Sequence, residues 1–226
     1  AAAAIGTRGR FTVALAGGST PRALYRALAQ GEHDRVIDWD RVECFWGDDR
    51  TVPPTDDDSN YRMAAETLLE PCDIDPRRIH RIQAEREDPA AAAADYAAAL
   101  ARYFGVAPDG PPPRFDLVLL GMGPDGHTAS LFPHTQALDE TSRWVVANAV
   151  PQLSTTRVTM TLPLINRAHD VIFLVAGAAK APALARVLGG PHAPADLPAQ
   201  AVAPTDGRVQ WFVDRAAAAE LPSAVE

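Results

Sequence analysis

The sequence predicts an α/β fold: a single domain over residues 1–226, built as a mostly parallel open sheet flanked by helices on both faces, with a short antiparallel edge. Three observations carry this prediction. Apolar runs of strand length recur along the chain, bounded by turn residues. Between most of them, apolar residues repeat at helical spacing, and strands alternating with helices pair in parallel. Several runs end in loops rich in Gly and in side chains able to touch a ligand.

Taken in order, AAAAIGTRGR reads as the tail of a helix entering the first strand, and the missing initiator Met leads us to expect residues before Ala1. The first strand, 11–16, runs into GGSTP, Gly17 to Pro21, where Ser19 or Thr20 caps a helix with Pro21 in its first turn and Leu24 and Leu28 on its buried stripe. The second strand, 41–46, runs into the polar loop GDDR, Gly47 to Arg50. A helix fits Ser59 to Leu69, and a longer one opens at Pro89 with Tyr96, Leu100, Tyr103 and Phe104 at helical spacing. The third strand, 115–120, enters the loop LGMGPDGH, with a helix expected after it. Strands 144–150 and 157–162 are too closely spaced for a crossover and read as the antiparallel pair. Strand 171–176 runs into GAAK, Gly177 to Lys180, and a helix with Ala181, Leu184, Ala185 and Leu188 on one face; 209–213 is the last strand. Residues 53–58, 108–113 and 191–204 are rich enough in Pro or acid to be surface loops.

Composition narrows the function. A net charge of −8 argues against nucleic acid and anionic membrane as partners. No apolar run approaches the ~20 residues that span a bilayer, and no signal peptide opens the chain. Cys44 and Cys72 have no metal-ligand spacing and read as reduced packing residues of a cytoplasmic protein. His33, His80, His134, His169 and His192 show neither HxH nor HExxH spacing, so they read as solvent-facing and no metal is expected.

In an open parallel sheet, ligands bind beyond the carboxyl ends of the strands, so the polar loops after these strands describe one site. Gly17 and Gly18 open the backbone so that Ser19 and Thr20 can cradle an oxyanion at a helix N-terminus. GGSTP matches neither GxxxxGK[ST] nor GxGxxG, and a phosphate ester smaller than a nucleotide fits better. Arg50 and Lys180 are placed to reach that phosphate, although Asp48 and Asp49 also offer Arg50 a local ion pair. Arg157 reads equally as a strand-edge residue, and Asn60 as a helix-start residue. In LGMGPDGH, Gly123 permits close approach, and Asp125 and His127 supply an acid and a base.

GGSTP, GDDRTVPPTDDDSNYRM, FDLVLLGMGPDGHTASLFP, RVTMTLPLINRA and VIFLVAGAAK, in this order, resemble the signature segments of the 6-phosphogluconolactonases. Asp49 stands where that family usually has Glu. The resemblance implies a Rossmann-like fold of the sugar-phosphate isomerase type. It also implies hydrolysis of 6-phospho-D-glucono-1,5-lactone in the oxidative pentose phosphate pathway, without a cofactor. It makes His127 the general base, oriented by Asp125 or Asp48. Arg50 and Lys180 then hold the 6-phosphate with Gly17, Gly18, Ser19 and Thr20, and Asp48, Asn60, Gly123 and Arg157 complete the substrate contacts. Ser130, expected on the following helix, offers a secondary covalent route. The partner is a sugar phosphate alone, and the protein a monomer or weak homodimer. Amino-sugar-phosphate deaminases share a GxGxDGH loop but continue with an AFNEP-like segment where this chain has ASLFP. A sugar-phosphate sensor on such a fold would carry a DNA-binding helix-turn-helix, which these residues lack.

Overall fold

A computed structural model describes residues 1–30 and 36–222. His33 lies outside the described residues. The strands are β1 (Phe11–Leu15), β2 (Val42–Trp46), β3 (Asp48–Arg50), β4 (Ile79–His80), β5 (Leu117–Gly121), β6 (Val145–Val150), β7 (Thr155–Met160), β8 (Asp170–Val175) and β9 (Arg208–Val213). The helices are α1 (Ala2–Arg8), α2 (Ser19–Ala29), α3 (Asn60–Ala64), α4 (Pro89–Phe104), α5 (Leu162–Ile165) and α6 (Ala181–Gly189).

The main sheet has six strands in the order β4-β2-β1-β5-β8-β9, all paired in parallel. The chain builds outward from β1 through β2 to β4, then returns to the other side of β1 for β5, β8 and β9. The direction therefore reverses between β1 and β5, where such sheets open a crevice for ligands. Neighbouring residues of β2 show that helices cover both faces, since successive side chains point opposite ways. Cys44 shares an apolar hollow with Leu24 and Tyr25 of α2, while Phe45 packs its ring on Tyr103 and Phe104 of α4.

Two buried tyrosines fix the strand ends that bear the loops. The Tyr25 hydroxyl donates to the Ala16 carbonyl at 2.9 Å and accepts the Ala16 N–H at 3.0 Å. The Tyr96 hydroxyl does the same for Trp46, accepting its N–H at 2.9 Å and donating to its carbonyl at 3.2 Å. Backbone groups leaving the sheet are thus satisfied without water.

Four sequence expectations are corrected. GDDR is not a loop: after Gly47 the chain forms β3, pairing antiparallel with β7 so that Arg50 faces Arg157. The β6–β7 pair thereby becomes a separate sheet ordered β3-β7-β6. The helix expected after His127 is absent. The Thr159 hydroxyl oxygen accepts the Ser130 N–H at 3.2 Å, and the Asn148 amide donates to the Ser130 carbonyl at 2.8 Å. These side chains occupy backbone groups a helix would need, and Ala129 and His134 adopt left-handed φ of 47° and 59°. Finally, α2 starts earlier than expected, with Gly18 as its N-cap, so Ser19 and Thr20 lie inside its first turn instead of capping it. The expected helix over 59–69 is present, capped by the Ser59 hydroxyl on Arg62 N–H, but its second half, Ala65–Leu69, is a π-helical turn.

Candidate active site

The loops after β1, β5 and β8, together with β3, line a cavity of about 210 Å³ beside the reversal point. The β1 loop contributes Gly17, Gly18, Ser19 and Thr20, the β5 loop Gly123 and His127, and the end of the β8 loop Lys180. From β3 come Asp48 and Arg50, and from the start of α3 comes Asn60. Ten expected residues are therefore brought together. Asp125 and Arg157 are not on the cavity wall.

Asp125 stands behind His127. Its Oδ1 is 2.6 Å from His127 Nδ1 and accepts the His127 N–H at 3.2 Å. Of the two acids named for His127, Asp125 is the one in contact with it, whereas Asp48 turns to Ser130, whose hydroxyl donates to Asp48 Oδ2 at 2.6 Å. Burial pushes the Asp125 carboxyl up, but the hydrogen bond and charge of His127 outweigh it and hold the group below its ordinary value. A carboxylate at Nδ1 favours the tautomer with hydrogen there, which leaves the lone pair on Nε2. The turn is tight enough to need glycine. A Cβ on Gly123 would collide with the His127 ring and the Asp125 carboxylate, and Gly126 holds φ +79°.

Arg50 makes no ion pair among the described residues. Its Nη1 donates to the Asp58 carbonyl at 2.7 Å and to Asn60 Oδ1, while Asn60 Nδ2 donates to the Asp48 carbonyl at 2.9 Å. Asn60 is thus a brace for the guanidinium, and it also abuts Gly17, where a Cβ would collide with its amide. Across the β3–β7 pair, Arg157 has a buried Nε without a partner, and burial and the charge of Arg50 both depress its proton affinity. The Lys180 ammonium group makes no hydrogen bond or ion pair among the described residues. Burial lowers its pKa, with Asp125 pulling the other way. Two cations facing one cavity, neither held in an ion pair among the described residues, suit an anion.

Sequence reasoning missed several contributors. Phe132 stacks on the His127 ring at 4.1 Å between centroids. Its place five residues beyond the histidine carries no helical or strand signal. Asp49, 3% exposed, accepts backbone N–H groups from Arg50, Asn60 and Tyr61. It ties β3 to the start of α3. Asp214 accepts the Gly177 N–H at 3.1 Å and anchors the loop that ends in Lys180. Ser130 is buried against Asp48, off the cavity wall.

Comparison with known proteins shows the family. A family model described as glucosamine-6-phosphate isomerases/6-phosphogluconolactonase matches residues 1–211. A 6-phosphogluconolactonase of Nostoc sp. is 44% identical over 218 residues, a match covering 96% of this chain and 88% of the relative. Among solved structures, one described as devB protein matches with a TM-score of 0.88 at 34% identity, covering 97% of this chain and 91% of that one. The 6-phosphogluconolactonase of Trypanosoma brucei matches with a TM-score of 0.79 at 33% identity, covering 94% and 86%. The chain belongs to the glucosamine-6-phosphate isomerase/6-phosphogluconolactonase family, and its similarity is to the lactonases.

Proposed function

We propose that this chain hydrolyses 6-phospho-D-glucono-1,5-lactone to 6-phospho-D-gluconate as a single-domain enzyme of the oxidative pentose phosphate pathway, with His127 as general base. The observation that carries this reading is His127 on the cavity wall, backed by Asp125, with Arg50 and Lys180 on the same cavity. Lactonase relatives at 44% identity support the substrate. In the proposed reaction the 6-phosphate lies between Arg50 and Lys180 over the Gly17–Thr20 loop, and Asp48, Asn60 and Gly123 bound the sugar. Arg157 acts from behind Arg50 as a third positive charge on the phosphate. His127 Nε2 takes a proton from a water as its oxygen bonds to the lactone carbonyl carbon. The tetrahedral intermediate then expels the ring oxygen, which receives that proton from His127 and becomes the C5 hydroxyl. The carboxyl product ionises to solvent.

An activated ester needs little more than a placed water and a base near neutral pKa, so no step calls for a cofactor. Cys44 and Cys72 form no disulfide among the described residues, which fits a reducing cytoplasm. The proposal takes the working form to be a monomer or weak homodimer acting on a small molecule.

The test is a coupled assay on freshly generated 6-phosphogluconolactone, corrected for spontaneous hydrolysis. His127→Ala is expected to lower kcat by about 10²–10⁴ with KM within a few fold, the range for losing a general base. A variant with wild-type kcat would make His127 structural and remove the mechanism.

A further inference from the structure

We propose, resting on the reading of His127 as the base, that the connection between α6 and β9, residues 190–202, is a positioning element that clamps the base loop, with Leu197 and Gln200 as its working residues. The connection holds the loop at both ends. Ala199 N–H donates to the Gly126 carbonyl at 3.0 Å, and His134 N–H donates to the Ala195 carbonyl at 3.2 Å. Between these bonds lie His127 and the Phe132 ring stacked on it. Leu197, 2% exposed, packs against Gly126: its side chain and Cα are the atoms nearest to where a Cβ on that glycine would lie. Gly126 is the residue at which the chain reverses between Asp125 and His127, so pressure there sets the angle between acid and base.

The far side of the clamp is fastened by Gln200. Its Oε1 accepts Ala193 N–H at 2.7 Å, and its Nε2 donates to the carbonyls of Arg186, Val187 and Pro191 at 3.1, 3.2 and 3.1 Å. Arg186 and Val187 are in the last turn of α6, the helix whose first turn follows Lys180. One stretch of chain therefore references the base loop to the helix that presents the phosphate cation. Catalytic groups displaced by 1 Å can cost ~10²-fold in rate, so a clamp with no substrate contact can still govern kcat.

The experiment compares Leu197→Ala, Leu197→Met and Gln200→Ala with Leu100→Ala, a buried α4 substitution away from the cavity that controls for lost stability alone. All are assayed on 6-phosphogluconolactone at a temperature where circular dichroism shows them folded. Leu197→Ala should lose ~10-fold or more in kcat with KM within about threefold, because the phosphate contacts are untouched. Leu197→Met should return to within about twofold of wild type, since it preserves volume. Gln200→Ala, on a half-exposed residue, should lower kcat in the same direction even if Leu197→Ala does not fold. Wild-type kcat in folded Leu197→Ala or in Gln200→Ala, or equal losses in Leu197→Ala and Leu100→Ala, would overturn the clamp. His127→Ala measured alongside separates the two ideas: full activity there removes the base, whereas a silent Leu197→Ala beside an inactive His127→Ala removes only the clamp.

Discussion

An imidazole can draw a proton from water only if its free nitrogen carries the lone pair, and at His127 that is decided by what sits on Nδ1. Asp125 at 2.6 Å accepts hydrogen there and gives nothing back, so Nε2 stays available. Asp125→Asn replaces this acceptor with a group that can donate, which allows the opposite tautomer and removes the base. The expected outcome is a kcat lower by roughly 10²–10⁴-fold with little change in KM, the range for losing a general base and, at its upper end, for losing a carboxylate that fixes a catalytic histidine's tautomer. A kcat that matches wild type would mean that Asp125 only shapes the turn. The histidine and its acid were legible in the sequence as residue types at a strand end. Which acid it used was not, because both Asp48 and Asp125 follow strands, and only the turn through Gly126 makes one of them a neighbour.

At the scale of elements, the helices and core strands announced themselves through periodicity, while β3 did not. An acidic run such as Asp48–Asp49 has poor strand character, and what makes it a strand is the edge of β7 available to it. The cost of that placement falls on Asp49. Burial raises its carboxyl to about 6, against hydrogen bonds from Asn60 and Arg50 that work to lower it and the neighbouring Asp48 that adds to the rise. An acid whose folded pKa lies above its unfolded value binds its proton more tightly in the native state. Its contribution to stability is therefore fully present below pH 3.8 and is lost as pH rises through about 6. The comparison to make is wild type against Asp49→Asn by urea unfolding, since any constant loss from poorer capping by Asn cancels between pH values. Relative to Asp49→Asn, wild type should lose about 2 kcal/mol between pH 4.5 and pH 7. A difference that does not vary with pH would show that Asp49 titrates as it does in the unfolded chain.

For the whole molecule, the topology of the sheet gathers loops from residues 17, 123 and 180 at one crevice, and it also sets a problem of charge. The protein carries a net charge of −8, yet it is proposed to bind a phosphorylated lactone. The general field opposes such a substrate, so attraction must come from cations at short range, where they outweigh a distant and screened repulsion. Arg50 and Lys180 meet that requirement from opposite sides of the reversal point, on β3 and after β8, and neither is neutralised by an ion pair among the described residues. Their spacing behind strands made them visible in the sequence. What was hidden was the bracing of Arg50 by Asn60, because that contact joins two elements whose pairing no local pattern reveals. Losing one charge-assisted contact to a charged group should cost about 1.5–3 kcal/mol, or roughly 10- to 150-fold in kcat/KM. Arg50→Ala and Lys180→Ala should show that loss with 6-phosphogluconolactone and almost none with unphosphorylated gluconolactone, which offers the cations nothing to hold. Asn60→Ala should follow the same pattern more weakly, since it leaves the guanidinium present but unbraced. Raising the salt concentration should erode the selectivity of the wild type more than that of either cation variant. Equal proportional losses on both lactones would mean that these cations serve the fold or the reacting carbonyl, and that the phosphate is bound elsewhere.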